Sequence, residues 1–345
     1  MARKGRSSIV HQVSQTITAI NRIGESKREA KKKGTSGIHS IKQIKGTLSV
    51  AQNFVKWVRN EFGIKSIYEL TEEHYTAYLQ YLKDLERSAG HRQNVETALK
   101  HMQMGMNIRS KELGREEVWF IPNKRLTDWR ELKKAENRSY SQKEYEKLLP
   151  FLSQKVQAAT KLMRYMGLRV REACNVKVMH FKTVSHDGLE LRISEGEGRG
   201  ITKGGRFRNT PVPKLLINEI EKMMTNKEQD ELLIGVKEAT VRKAINQACK
   251  KAGMKQNGRG THGFRHLYCR DRLRELLAKK GIANEGEVML ERIMNNRDKG
   301  RKADYSILTE QDIKVYNLLK SAIDQVHEEI GHGEDRWDLA ERYMR

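Results

Sequence analysis

Apolar residues between about 43 and 106 recur every three or four positions, which predicts amphipathic helices. A first helix is predicted from about residue 43, a second begins at Thr71, and Ser88-Ala-Gly90 separates the second from a third. Their apolar faces carry, in chain order, Leu48, Ala51, Phe54, Val55 and Val58, then Tyr75, Tyr78, Leu79 and Leu82, then Val95, Leu99, Met102 and Met106. Helices with short connections predict a small bundle over residues 41–125.

A second domain is predicted over residues 139–345, after a charged and irregular linker at 126–138. Ser141-x-x-Glu144 has the form of a capping box, which predicts the start of this domain's first helix. Apolar and polar residues alternate over 189–193, and residues 201–212 return after a Gly-rich connection. This pattern predicts a hairpin in an otherwise helical domain. The predicted fold class is therefore mainly α with a small β-sheet.

The charge balance indicates the kind of partner. The 345 residues include 67 Lys and Arg against 44 Asp and Glu, a net charge of +23. An excess spread along the whole chain favours a nucleic-acid partner. An anionic membrane is the alternative, but no apolar run is long enough to span one, and no apolar segment follows the N-terminus as in a signal peptide.

The three cysteines indicate the cellular compartment of the protein. Cys174, Cys249 and Cys269 have neither the spacing of zinc ligands nor an even count for disulfides. Their distribution therefore predicts a reducing cytosol and no metal site.

Two basic segments in the N-terminal third are candidate DNA contacts. Residues 1–40 contain several Lys and Arg, including the triplet at 31–33, and predict an arm that neutralises phosphates. A solubilising tail explains them equally well. The third predicted helix has a basic polar face with Arg92 and Lys100, which could lie in a groove of DNA or be an ordinary solvated face.

Candidate chemistry begins at Thr261-His-Gly-Phe-Arg-His266, which predicts a helix start with Thr261 as N-cap. Three positions separate His262 from Arg265, so both would share a face beside the free N–H groups of the first turn, a setting that favours an anion. On these residues alone, an exposed basic helix is the ordinary alternative.

Two further segments add candidate residues. Arg169 follows a helix that is predicted to stop at Gly167, and Glu172 could orient it through a charge-assisted hydrogen bond. Lys203 stands directly before Gly204-Gly205, near the predicted hairpin tip, where one more solvated lysine is the simpler interpretation.

Together these segments resemble the active site of the tyrosine recombinases, the phage integrase family. The resemblance rests on Gly-Leu-Arg-x-x-Glu at 167–172, Thr-Lys-Gly-Gly-Arg-x-Arg-x-x-Pro-Val at 202–212 and Thr-His-x-x-Arg-His at 261–266, in that order. The family also has a Gly-His and a nucleophilic Tyr further on, and Gly331-His332 and Tyr343 match them. The resemblance implies a helical, SAM-like core-binding domain at 41–125 and a catalytic domain at 139–345.

The resemblance also implies a role for each matching residue. Tyr343 would attack a DNA phosphodiester and form a 3′-phosphotyrosyl link, while Arg169 and Arg265 clamp the phosphate oxygens. Lys203 would protonate the leaving 5′ oxygen, and His262 would accept the Tyr343 proton. His332 would hydrogen-bond the phosphate, and Glu172 would have a supporting role. The DNA contacts on the hairpin would be Arg206 and Arg208.

Other tyrosines fit the nucleophile's position less well. Tyr316 lies on an apolar stripe and is predicted to be core. Tyr305 is in a polar run, and Tyr268 is too close to the His-x-x-Arg pair to leave room for a phosphate.

The implied function is site-specific recombination through a Holliday junction, by a homotetramer on paired double-stranded DNA sites. This reaction needs no cofactor, and an accessory directionality factor is a possible further partner. The implied setting is the cytoplasm of a bacterium, for a chain of bacterial or phage origin. Three alternatives remain: a type IB topoisomerase, a catalytically degenerate DNA-binding protein, and a metal-dependent transposase, which would need clustered carboxylates.

Two departures from the family pattern stand out. Residues 276–309 form an unusually long segment between the His-x-x-Arg helix and Gly331-His332, with a predicted helix at 285–293. Only Met344 and Arg345 follow Tyr343 in the sequence, where many relatives have a helix that docks on the next protomer. If protomers exchange such a contact in this protein, another element must make it.

Overall fold

The chain divides into two compact units, Met1–Lys133 and Lys134–Arg345. The computed structural model describes residues 8–25, 27–34, 36–132, 136–185, 188–194, 197–198, 200–202, 205, 207–301 and 306–345. Each unit has its own apolar core.

The first unit is a helical bundle. Its helices are α1 (Ile9–Ala19), α2 (Lys27–Lys32), α3 (Ile41–Phe62), α4 (Glu72–Asp84) and α5 (Ala89–Glu112). The periodic apolar residues predicted for the three main helices face one core, with Phe54, Leu99 and Met102 fully buried. Helices α4 and α5 begin at the segments that the sequence predicts. The Ser88 hydroxyl accepts a hydrogen bond from the first turn of α5, and Thr71 forms a capping box at α4.

Helix α1 lies inside this bundle and not in a separate arm. Ile9, Val13, Ile17 and Ile20 are buried in the core that α3 and α5 complete. At Gly105 of α5 the backbones approach so closely that an added Cβ would lie 2.3 Å from the Thr16 carbonyl oxygen. The predicted boundary at residue 40 therefore does not separate two bodies, and residues 1–7 lie outside the described residues.

The second unit combines nine α-helices within its described residues with one small sheet. Its helices are α6 (Gln142–Leu148), α7 (Gln154–Tyr165), α8 (Val170–Asn175), α9 (Lys214–Met224), α10 (Glu238–Lys251), α11 (His262–Lys279), α12 (Ala283–Asp298), α13 (Glu310–Glu329) and α14 (Trp337–Tyr343). Its strands are β1 (Phe181–Ser185), β2 (Gly188–Ile193) and β3 (Arg208–Pro211). The mainly α fold class with a small sheet is confirmed.

The sheet is antiparallel in the order β1-β2-β3, with Leu191 paired to Phe181 on one side and Thr210 on the other. The predicted hairpin corresponds to β2 and β3. Strand β1 was not predicted, since its sequence Phe-Lys-Thr-Val-Ser has only two apolar residues and Val184 is exposed.

Helix α11 lies between two apolar clusters and so fixes the centre of this unit. Phe264 and Leu267 belong to the cluster with α7, α8, α10 and the sheet. Cys269 and Leu273 belong to the cluster with α12, α13 and α14. The side chains at the start of α11 are consequently held from both sides.

Candidate active site

Arg265 ties the start of α11 to two other segments. Its guanidinium is fully buried, donating from Nη1 to the Gly167 carbonyl at 2.6 Å and from Nη2 to the Ile330 carbonyl at 2.5 Å. Burial, and next the Arg169 cation, lower the pKa of Arg265 to about 10, so it remains a cation at neutral pH. Because Gly167 and Ile330 each stand two residues before another candidate, Arg265 sets the positions of Arg169 and His332.

Arg169 projects from the sharp corner between α7 and α8. Gly167 makes the corner with φ +59, and an added Cβ there would lie 2.4 Å from the Tyr268 ring, so glycine is required on both counts. Glu172 accepts from the Arg169 backbone N–H and from its Nη1, both at 2.7 Å. The corner and the carboxylate together fix the direction of the Arg169 side chain.

Glu172 is the centre of a buried charge cluster, which we call the arginine cluster: Glu172 with Arg169, Arg208 and Arg265. Its carboxylate lies 2.7, 2.5 and 3.6 Å from the three guanidinium groups in that order. Burial would raise the pKa of Glu172, but the cations of Arg208, Arg265 and Arg169 outweigh burial and hold that pKa below its ordinary value. The carboxylate is therefore ionised at neutral pH.

Arg208 corrects the sequence prediction, which made it a DNA contact. Its side chain has no solvent exposure, and its guanidinium donates to Glu172, to the Met166 carbonyl at 3.0 Å and to the Thr210 hydroxyl at 3.1 Å. All three of its guanidinium nitrogens are thus bonded to protein groups, which leaves none of them for a DNA phosphate. Arg208 instead anchors Glu172 from the side of the sheet.

His332 completes the site from the turn after α13. Its Nε2 lies 2.9 Å from Arg169 Nη2 and 3.3 Å from Arg265 Nη2. Since guanidinium groups can only donate, Nε2 accepts and the ring proton lies on Nδ1. Burial, then the cations of Arg265 and Arg169, lower the pKa of His332 well below its usual value, so the ring is neutral.

Tyr343 of α14 reaches the same place. Its ring centroid is 4.6 Å from that of His266 and 5.5 Å from that of His332, and the Arg265 guanidinium lies 5.7 Å from it. The structure thus brings together Arg169, Glu172, Arg265, His332 and Tyr343 from four separate segments.

The competing tyrosines have other contacts. The Tyr268 hydroxyl donates to Glu329 at 2.6 Å, and burial, then the Glu329 charge, raise its pKa well above the usual value. Tyr316 is half-buried and stacks on Trp337 at 5.9 Å between ring centroids. Tyr305 lies outside the described residues.

The imidazole against Tyr343 is that of His266, which the sequence prediction did not assign. His262, the predicted proton acceptor, is exposed one turn away, with its ring centroid 6.5 Å from that of His266. Desolvation by the surrounding protein, and next the Arg265 cation, lower the pKa of His262 to about 4. Desolvation, and next His262, lower the pKa of His266 to about 4, so both rings are neutral at pH 7. His266 could have been found from the sequence, because it stands four positions after His262 and therefore shares that face of the helix.

The other residues predicted to contact DNA lie in different surroundings. Lys203 and Arg206 lie outside the described residues. Arg92 is almost fully buried in the first unit, where its guanidinium pairs with Glu131 at 2.5 Å, so the predicted groove contact does not fit its surroundings. Lys100 is half-buried beside the exposed Trp119 at a shallow, mainly apolar cavity of about 440 Å³.

Within the described ranges, no group of three or more His, Cys, Asp or Glu side chains is arranged to hold a metal ion. Of the helices described above, none is both long enough and apolar enough to cross a membrane.

Comparison with known proteins agrees with this geometry. A family model, Phage integrase family, matches residues 138–283. No curated protein matched the chain in sequence.

Solved structures extend the likeness to the whole chain. The XerH site-specific recombinase bound to difH substrate is 15% identical with a TM-score of 0.57, over 98% of this chain and 91% of that one. A lambda integrase dimer bound to a COC′ core site is 15% identical with a TM-score of 0.54, over 91% of this chain and 75% of that one. The Tn1549 transposon integrase in complex with circular intermediate DNA is 12% identical with a TM-score of 0.51, over 97% and 98%.

The chain has the fold of these recombinase structures, with an N-terminal helical unit and a C-terminal unit that combines helices with a small sheet. The part that matches the phage integrase family model, residues 138–283, includes Arg169, Glu172 and the His-x-x-Arg segment.

Proposed function

We propose that the protein is a site-specific DNA recombinase that cleaves and rejoins strands through a 3′-phosphotyrosyl bond to Tyr343. The observation that carries this proposal is the convergence of Arg169, Arg265, His332 and Tyr343 on one point. A phenol beside two fixed guanidinium groups fits attack on a phosphodiester, since the cations neutralise the oxygens while the phenol oxygen bonds to phosphorus.

The charge of the arginine cluster supports this chemistry. Three guanidinium cations and one carboxylate leave two positive charges around the place where a phosphate would bind. A phosphodiester carries one negative charge and its five-coordinate transition state carries two. The cluster therefore matches the transition state better than the substrate, which is the condition for catalysis.

Two proton transfers balance the cleavage step. The Tyr343 hydroxyl must lose its proton as its oxygen bonds to phosphorus. His262 and His266 are neutral imidazoles that can accept it, and His266 is the one against the Tyr343 ring. The departing 5′ oxygen must gain a proton, and Lys203 is our candidate donor.

Rejoining reverses the same step. The 5′-hydroxyl of a second cleaved strand attacks the phosphotyrosyl bond and releases Tyr343, so no energy source is consumed. Two such rounds on paired double-stranded sites exchange DNA through a Holliday junction, and four protomers would be the working assembly. An accessory directionality factor would bias the outcome.

The test is to trap the covalent complex on DNA that flanks the gene. We expect the wild-type protein to form an adduct that survives denaturation and excess chelator, and Tyr343→Phe to form none while binding the same DNA with unchanged affinity. Adducts that persist in Tyr343→Phe would move the nucleophile elsewhere.

A supercoiled plasmid without a site separates recombination from the type IB topoisomerase alternative. We expect no relaxation of this plasmid under conditions where the site-bearing DNA forms adducts. Efficient relaxation without a site would favour the topoisomerase. Site binding by a wild-type protein that never forms an adduct would favour the degenerate DNA-binding protein.

A further inference from the structure

Helix α14 is too short to hold Tyr343 in place by itself. It spans seven residues, and an isolated helix of this length is unstable in water because nucleation costs more than so few hydrogen bonds return. The position of the Tyr343 hydroxyl therefore depends on what α14 packs against.

One such contact comes from the end of α12, within the long segment that departs from the family pattern. Asp298 accepts from both terminal nitrogens of Arg345, at 2.7 and 2.6 Å. Their side chains are 11% and 30% exposed, so the pair is shielded from solvent more than an ordinary surface pair. A two-point bond between a planar guanidinium and a carboxylate fixes direction as well as distance.

A second pair of opposite polarity lies beside the first. Arg297 of α12 lies 3.2 Å from Glu341 of α14. Neighbouring residues of α12 thus present a cation and an anion, and they meet an anion and a cation that stand two positions before and two after Tyr343. This alternation favours one register, because a shift of α14 along α12 would bring like charges together.

Apolar packing closes the same contact. Met344 is buried in the cluster that includes Leu290 and Met294 of α12 and Leu273 of α11. The Tyr343 ring lies beside those of His266 and His332. The residues on both sides of Tyr343 are therefore held by α12 while its ring is held against the active site.

We propose that the end of α12 is a clasp, formed by Arg297, Asp298 and Met294, that positions the nucleophile of the same protomer. Asp298 is the central positioning residue, and it acts through Arg345. This inference rests on the proposed function of Tyr343 and assigns a role to the long 276–309 segment.

The experiment measures the single-turnover rate of adduct formation on a DNA substrate whose cleaved strand cannot be rejoined. The variants are Asp298→Arg, Arg345→Asp and the double variant that exchanges the two charges. The matched control is Glu287→Arg, which makes the same charge change in α12 but breaks only the exposed pair with Arg274 of α11, 3.2 Å apart. DNA affinity and amide hydrogen exchange of residues 337–345 are measured on the same proteins.

We expect Asp298→Arg and Arg345→Asp each to lower the adduct rate about tenfold, as loss of a partly shielded charge pair of about 1.4 kcal/mol would. Hydrogen exchange should speed up in residues 337–345 alone, with DNA affinity unchanged. The double variant should recover most of the rate, and Glu287→Arg should match the wild type. A merely structural role would instead lower the stability of the whole unit, so faster exchange confined to residues 337–345 is the readout that identifies positioning.

The clasp is overturned if Asp298→Arg forms adducts as fast as Glu287→Arg, or if the exchanged pair recovers neither rate nor protection. The proposed function fails separately, through a wild-type protein without adducts or a Tyr343→Phe variant with them. The two failures are therefore distinguishable in one set of assays.

Discussion

The two halves of the candidate site are built in contrasting ways. The arginine cluster lies at the core of the second unit, where Arg208 and Arg265 have no exposed side-chain surface and bond to backbone carbonyls as well as to Glu172. Tyr343 stands instead on a seven-residue helix whose flanking residues make partly exposed ion pairs. One half is fixed by the fold, and the other is held by contacts that a few substitutions can release.

This difference suggests a division of labour. Electrostatic stabilisation of a transition state is effective when the charges are already in place and need no reorganisation, which suits a buried cluster. A nucleophile that must attack, stay linked to DNA and then leave benefits from a support that can move. We therefore begin with substitutions in the arginine cluster and then consider how a buried histidine near His332 responds to acid.

The largest effect is expected from Glu172→Gln. Removing this carboxylate leaves three arginines around a neutral group, two of them without exposure, and loss of one partner from a buried charge pair typically costs about 3–5 kcal/mol. The free energy of unfolding of the second unit, measured with denaturant, should fall by that amount. The control Glu219→Gln, whose pair with Lys161 is partly exposed, should cost less than about 1 kcal/mol, and equal losses would contradict a central role for Glu172.

The next effect is expected from Arg265→Lys. Lysine keeps the charge but lacks the planar fork that donates to both Gly167 and Ile330, so Arg169 and His332 would lose their alignment. Adduct formation should fall by about 10²–10³-fold with DNA affinity retained. Arg272→Lys, on the same helix and paired with Glu329, should retain nearly full activity, and a similar loss in both variants would show that the cluster has no special place.

A smaller effect is expected on the free energy of unfolding at acid pH. His327 lies 5.9 Å from His332 between ring centroids, is fully buried, and neither of its ring nitrogens has a hydrogen-bond partner in the described part of the chain. Burial lowers the pKa of His327 to about 4, whereas an unfolded histidine titrates near 6.5. The unfolded chain thus binds the proton first, so stability is complete above about pH 6.5 and declines as the pH falls toward 4.

His327→Leu removes that contribution. Between pH 7 and pH 4 the variant should lose about 3 kcal/mol less unfolding free energy than the wild type. Denaturant titrations across this range provide the measurement, with the exposed His11→Leu as control. Parallel curves for His327→Leu and the wild type would mean that another group governs the acid limb.

The sequence predicted what depends on local pattern and missed what depends on tertiary burial. The faces of α3, α4 and α5 follow from helical spacing, and Ser141 makes its capping box as expected. The α1 stripe of Ile9, Val13, Ile17 and Ile20 was also visible, but the basic composition of residues 1–40 favoured an arm. Arg208 could not be found this way, because a buried and an exposed arginine look alike in sequence.

The site itself was predicted in part. The resemblance selected Arg169, Glu172, Arg265, His332 and Tyr343, which come from segments far apart in the sequence, so spacing alone could not have joined them. It did not single out His266, whose contact with Tyr343 follows from how α14 docks on α11. The clasp residues in α12 carry no recognisable motif, since ion pairs between distant helices follow only from the packed structure.

The most direct test of the account is to identify the DNA-linked peptide. After cleavage of a suicide substrate, nuclease and trypsin treatment leave a short nucleotide on the reacting tyrosine, and mass spectrometry locates it. The account predicts the nucleotide on Tyr343, in the tryptic peptide Tyr343-Met-Arg345. A nucleotide on Tyr268, Tyr305 or Tyr316 would contradict the claim that α14 delivers the nucleophile to the arginine cluster.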